Sequence, residues 1–211
     1  MKTVIFDSGL GSLKIYNELK NRKGIWIRYN DSENYPYGTK SKKELLNVIT
    51  STIKIIIEKY HPDRIIMASI TPTLQIIDKL RFSVPIIGMY PDIITATSIS
   101  KTRKVLILST NGALRDIKKY CNKFNNLKKY YQPGSNLVDM VEKKKYDLDE
   151  IKKTIEPYYL KGVDTIILGS THLTYLINKI NKIYPNLKLL KPKFRGLNSF
   201  LQNVGTRTAK T

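Results

Sequence analysis

The sequence has one cysteine, Cys121, among 211 residues. An intrachain disulfide, a Cys-rich zinc site and an iron–sulfur cluster are therefore excluded within one chain. No apolar run approaches the ~18 residues that a membrane span needs, and the opening Met1-Lys2-Thr3-Val4-Ile5-Phe6-Asp7 turns polar too soon for a signal peptide. The expected compartment is the cytoplasm, with no membrane partner. Acidic residues are scarce: 17 Asp and Glu stand against 37 Lys and Arg, a formal net charge of +20. Such a balance favours anionic partners such as nucleic acid, anionic lipid or a small acid. Yet there is no RNP motif, zinc-finger spacing or basic strand interleaved with aromatics, and no Walker-type Gly-Lys-Ser/Thr loop or dinucleotide glycine fingerprint. The charge reads first as a lysine-rich solvated surface with weak nonspecific nucleic-acid affinity. It is densest over residues 101–129 and 178–211, the latter without Asp or Glu.

What is present looks like an ordinary globular chain, with 41% hydrophobic and 26% charged residues. Short runs rich in Val and Ile at 3–6, 25–29, 64–68, 86–88, 104–108, 165–168 and 187–190 alternate with stretches of helical period. That is the pattern of βαβ units on a parallel sheet. Residues 41–60 predict a helix, opened by a Ser41/Glu44 capping box and closed at His61-Pro62. Thr71-Pro72 predicts another, with proline in the first helical position. The segment from Val4 to Leu13 can be laid on Val105 to Leu114, and Asp63 to Thr73 on Asp164 to Thr174, both at an offset of 101. Two matches at one offset imply a duplication. The expected fold class is α/β, with two similar flavodoxin-like or Rossmann-like parallel-sheet domains, 1–92 and 93–191, related by a pseudo-twofold. Segment 192–211 is expected to complete the first domain.

Ligands of open parallel sheets bind beyond the carboxyl ends of the strands, where loops and helix N-termini offer free backbone N–H groups. Four such ends carry Asp7-Ser8-Gly9, Ser69-Ile70-Thr71, Ser109-Thr110-Asn111 and Ser170-Thr171-His172. If the two domains face each other, Ser69 and Ser170 become symmetry mates across one cleft.

These residues carry a resemblance. Asp7-Ser8-Gly9-Leu10-Gly11, Tyr35-Pro36-Tyr37-Gly38-Thr39-Lys40-Ser41, Ala68-Ser69-Ile70-Thr71 and Leu168-Gly169-Ser170-Thr171-His172 resemble, in order and spacing, the motifs of the glutamate racemases of the cofactor-independent aspartate/glutamate racemase family. The resemblance implies an interdomain site for glutamate, with aspartate the nearest alternative, and no metal or other cofactor. It implies transfer of the α-proton between two faces by a thiolate base and a thiol acid. Here both cysteine positions are serine, Ser69 and Ser170, and a hydroxyl needs a neighbouring base to serve. Asp7 and His172 are the candidates for that help. Asp139 falls on a family glutamate, with Glu142 close behind, and Ile70 replaces an asparagine. Asp7, Ser8, Tyr37, Gly38, Ile70, Thr71, Thr171 and His172 are the implied substrate contacts, and backbone amides at Ser8, Gly38, Thr71 and Thr171 the implied anion donors.

Three readings stay open at this level: a racemase slowed by its serines, a catalytically inactive relative that binds a small acidic amino acid or other anion, and a basic nucleic-acid binder on the same fold. The partner classes are the small acid, a second copy of the chain as homodimer, and nucleic acid held nonspecifically. Plainer roles suit the remaining residues. Cys121, in a lysine-rich helix at 113–123, reads as a small buried hydrophobe, Trp26 as core, His61 as a loop residue, and Tyr158-Tyr159 as helix packing.

Overall fold

The computed structural model describes residues 1–195. The first half runs β1 (Lys2–Asp7), α1 (Gly11–Leu19), β2 (Ile25–Asn30), α2 (Lys42–Tyr60), β3 (Arg64–Met67), α3 (Ile70–Ile76) and β4 (Ile86–Tyr90). The second runs α4 (Ile93–Ile99), β5 (Lys104–Ser109), α5 (Asn111–Cys121), β6 (Lys128–Pro133), α6 (Ser135–Glu142), α7 (Leu148–Tyr159), β7 (Thr165–Leu168), α8 (Ile177–Ile183), β8 (Lys188–Leu190) and β9 (Lys193–Phe194). Two sheets result, ordered β2-β1-β3-β4-β9 and β6-β5-β7-β8. Every pairing is parallel except that of β9 on β4. The fold is the expected α/β class with two parallel sheets, and the strand order of the first four repeats in the second four. Helices cover both faces, so the inner strands lose alternation: β3 and β7 are buried along their whole length. Among the described residues no helix is long and apolar enough to cross a membrane.

The local signals act as their chemistry dictates, with small shifts. The Ser41 side chain accepts a hydrogen bond from Glu44 N at 3.2 Å, and α2 ends where His61 takes the left-handed conformation. Pro72 is the third residue of α3 rather than the first. The helix starts early, at Ile70, and proline still lies in the first turn, where its missing N–H costs nothing. The helix carrying Cys121 is shifted two residues toward the N-terminus, and the cysteine at its end is fully buried, its thiol pushed up to about 12 by burial. Trp26 is core, with the Arg64 guanidinium 5.4 Å from its ring.

The sheet registers correct the repeat. Val4 pairs with Ile65 and Leu106 with Ile166, so β3 and β7 differ by 101 but β1 and β5 by 102. Asp7 therefore corresponds to Ser109. The slip arises because Val4-Ile5-Phe6 and Val105-Leu106-Ile107-Leu108 are continuous apolar runs, in which a one-residue shift changes no polarity. Two strands also escape the sequence pattern. β6 reads Lys-Lys-Tyr-Tyr-Gln-Pro and lies at a sheet edge, where lysines discourage edge-to-edge pairing. Two lysines followed by two tyrosines carry neither the alternation nor the Val/Ile run by which the other strands are read. β9 is two residues long and returns the chain to the first sheet, with Tyr90 opposite Lys193. The rest of the 192–211 segment, from residue 196, lies outside the described residues.

The halves meet closely at Gly112, near the start of α5. A Cβ placed there would sit 2.2 Å from the Gly38 carbonyl oxygen of the other half. Alanine is the better helix former by ~1 kcal/mol, but here it must push two backbones apart. Gly112→Ala should therefore destabilise the protein, by ~1–3 kcal/mol as overpacking generally does. Urea unfolding measures this, and a variant as stable as the parent would show that the contact yields freely.

Candidate active site

The carboxyl ends of β1, β3, β5 and β7 converge on one cavity of about 280 Å³, lined by residues of both halves. That volume lies just under the ~300–1,000 Å³ typical of drug-sized ligands and suits a small molecule. All the candidate side chains reach its wall: Asp7, Ser8, Tyr37 and Gly38 from the first motifs, Ser69, Ile70 and Thr71 after β3. Asp139, Ser170, Thr171 and His172 line it from the second half. Ser69 and Ser170 occupy equivalent places at the ends of β3 and β7, as the duplication requires. No lysine or arginine lines the cavity among the described residues, despite the net charge of +20. Hydroxyls, amides and one imidazole supply its donors.

Asp7 is 3% exposed. Its Oδ1 accepts the Ser8 N–H at 2.8 Å, while Oδ2 receives no hydrogen bond from the described residues. Burial pushes its carboxyl up from 3.8 to about 6, against smaller downward pulls from His172, the Ser8 amide and the Ser69 hydroxyl. A group so placed can hold or release a proton near neutral pH. The Ser8 amide, expected to be free for an anion, is occupied by this carboxylate.

Across the cleft, His172 Nε2 lies 2.5 Å from Glu142 Oε1, and that oxygen also accepts Leu10 N–H from the first half at 3.3 Å. The hydrogen bond with His172 holds the Glu142 carboxyl below its ordinary value, although partial burial opposes it. A Cβ on Gly9 would stand 2.8 Å from Glu142 Oε1 and 2.9 Å from His172 Nε2. On Gly11 it would stand 2.3 Å from Asp7 Oδ2 and 2.2 Å from Thr171 Oγ1. The glycines of Asp7-Ser8-Gly9-Leu10-Gly11 thus let the pair and Thr171 lie against the first half.

Tyr37 lines the cavity, but its hydroxyl is turned away: it donates to Asp31 Oδ2 at 2.6 Å, beside Thr52 at 2.9 Å. Burial, then the bond to Asp31, raises the Tyr37 phenol far above its ordinary value. Its place is that of a buried strut under the Tyr35–Gly38 wall. Sequence reasoning set Glu142 second to Asp139, and the structure brings both to the site, one on the cavity wall and one on His172. It gave no contact role to Tyr35, Thr110, Asn111 or Ser135, which also line the cavity. The strand end at Ser109 pointed to Thr110 and Asn111, whereas Ser135 follows the unannounced β6 and gave no signal.

No family model matches the chain. It is 32% identical over 204 residues to the glutamate racemase of Halothermothrix orenii, covering 88% of this chain and 78% of that protein. It is 31% identical over 203 residues to that of Aliivibrio fischeri, covering 89% and 74%. The Escherichia coli glutamate racemase, solved in complex with L-glutamate and the activator UDP-MurNAc-Ala, superposes with a TM-score of 0.82 at 24% identity, over 90% of this chain and 77% of that one. The Francisella tularensis glutamate racemase, solved with D-glutamate, gives 0.74 at 25% identity, over 100% and 84%. These relatives, together with a fold of two repeated parallel-sheet units, place the chain among the amino-acid racemases. Within that class it belongs to the glutamate racemase family.

The burial of Asp7 has a pH signature. Well below pH 4 its carboxyl is protonated whether the chain is folded or not. As pH rises through the window from about 4 to about 6, the unfolded chain ionises first, so this group's contribution to stability falls, by on the order of 3 kcal/mol in total. Asp7→Asn should therefore be more stable than the parent near pH 8 and close to it near pH 4. Urea titrations at the two pH values test this, and a difference independent of pH would refute the burial argument.

Proposed function

We propose that the chain works as two domains, 1–92 and 93–191, with residues 192–195 returning to the first, and that glutamate or an acidic amino acid of similar size binds between them. Its α-carbon lies between the Ser69 and Ser170 hydroxyls, and the chain acts as a glutamate racemase whose turnover is slow because hydroxyls stand where thiols would serve better. The observation that supports this reading is the arrival of both serines in one cavity from equivalent strand ends, one with Asp7 and one with His172. Asp7, with a carboxyl near 6, acts as the proton acceptor behind Ser69. His172, oriented by Glu142, serves Ser170.

Each half of the reaction moves one proton. A base on one face takes the α-proton, leaving the carbanion stabilised by the substrate's carboxylate, and an acid on the other face returns a proton. Thr71, Thr171 and Asn111 hold the carboxylates through hydroxyl, amide and backbone donors, and Asp139 faces the ammonium group. The basic surface raises the local concentration of anionic substrate. Ile70, 3% exposed on the wall, supplies no polar side chain, which favours binding without turnover as the second reading.

The measurement is α-proton exchange of L- and D-glutamate in D₂O followed by NMR, beside calorimetric titration of both enantiomers. The parent should bind glutamate and exchange it slowly. Ser69→Cys with Ser170→Cys together, with Ile70→Asn added where the substrate must be re-seated, should raise the appearance of deuterated glutamate of the opposite configuration by ~10²-fold or more, and either cysteine alone should do little by that readout. The asymmetry follows because each positioned proton transfer is worth ~10²–10⁴-fold and both are required. Fast exchange by the parent would overturn the assignment of the serines as the limit. Binding with an inert triple variant would favour the second reading, and no binding of either enantiomer would reject both.

A further inference from the structure

The second half carries charge that its cleft does not use. Of the nineteen Lys and Arg in residues 93–191, eleven fall in segments 100–104, 118–129, 156–164 and 182–188, together with only two of the eight Asp and Glu. The remainder of that half holds eight cations and six acids, close to balance. The four segments contain the starts of β5, β6 and β8, the residues that lead directly into β7, and the ends of α5, α7 and α8. Strand starts lie at the end of a parallel sheet opposite the carboxyl ends, so this basic pole faces away from the cavity.

One of the two acids there, Asp164, is already occupied. Its carboxylate accepts from the Ser100 hydroxyl at 2.7 Å, from Lys101 N at 2.6 Å, from Thr102 N at 2.9 Å and from the Thr165 hydroxyl at 2.9 Å. Aromatic rings stand among the cations. On the edge strand β6, the Tyr130 ring packs 5.6 Å from Tyr158, with the ammonium groups of Lys128 and Lys161 at 5.7 and 5.9 Å from its centre. Tyr159, its ring centre 4.9 Å from that of Tyr184, is still 38% exposed, beside Leu160 at 78%.

We propose that this pole binds single-stranded nucleic acid, its ammonium groups neutralising phosphates while the exposed tyrosine ring stacks on bases. Cationic tracks with aromatic platforms are the physical basis of sequence-tolerant single-strand binding. An anionic membrane is the weaker fit, because Leu160 and Tyr159 are the only exposed large hydrophobic side chains in these four segments and offer little area for insertion. The proposal is independent of the racemase reading, since it uses no cavity residue.

The test is fluorescence anisotropy of a labelled oligothymidylate of about 20 nucleotides, longer than the ~4–16 nucleotides that a small fold covers, titrated with the full chain at several salt concentrations. One variant replaces the exposed Lys101, Lys123, Lys128 and Lys161 by Glu, and a second replaces them by Gln, to guard against misfolding. A control replaces the exposed Lys54, Lys59, Lys152 and Lys153 by Glu, for the same change of net charge. The pole variants should weaken binding by ~10-fold or more and lower the slope of log K against log salt by ~3, as loss of about four phosphate contacts requires. The control should lose less than about 3-fold. Tyr159→Ala should weaken the single strand more than a duplex of equal length. Absence of binding at low salt, or equal losses in pole and control variants, would overturn the proposal. So would binding of phosphatidylserine vesicles in preference to the oligonucleotide.

Discussion

How near two backbones can come decides what this cleft is. Gly9, Gly11 and Gly112 have no side chain to keep the halves apart, and the groups that meet over them come from both: Asp7 with Thr171, Glu142 with the Leu10 amide, and the Gly38 carbonyl with the start of α5. A methyl group at any of the three would enter space already filled by oxygen or nitrogen atoms. The cavity is therefore small because the halves are close, and they are close because the loop after β1 and the start of α5 are bare. The strand ends would still point toward one another without these contacts, but their side chains would not share one ligand.

A protein of net charge +20 has gathered carboxylates, not ammonium groups, at its cavity. The two facts concern different distances. The net charge acts at long range, raising the concentration of anions near the surface and screened by salt. Within the cavity, burial of Asp7 makes its proton exchangeable near neutral pH, and the contact with Glu142 gives His172 a fixed orientation. A lysine among them would bind a dicarboxylate more strongly, and would also stabilise the Asp7 anion and lower its proton affinity. A wall of hydroxyls and amides leaves the Asp7 carboxyl without a neighbouring ammonium group.

Much of the fold was legible from local pattern. Buried parallel strands are continuous Val/Ile runs, and their ends carry small and hydroxylic residues, so seven strands and the Ser41 cap could be read directly. β6 could not, because an edge strand needs little apolar character and its lysines serve the edge. β9 could not, because a strand of two residues is defined by its partner Met89-Tyr90 and not by its own composition. The offset between β1 and β5 was misread by one residue for the same reason that those strands were easily found: an unbroken apolar run has no internal landmark.

At the site the same division holds. The residue types and their places at strand ends follow from the sequence alone, because the duplication makes Ser69 and Ser170 equivalent whatever the packing. Which neighbours they meet does not. That the Tyr37 hydroxyl turns to Asp31, that the Ser8 amide is taken by Asp7 and that Glu142 holds His172 are consequences of side chains competing for a few partners in a closed space. The gathering of dispersed lysines at one pole is of the same kind, since segments far apart in the chain share an end of the sheet only once the strands are laid side by side. Local sequence determined the elements and the chemistry at their ends. Tertiary packing alone decided which groups face one another, because a contact between residues more than a hundred positions apart leaves no periodicity in either segment.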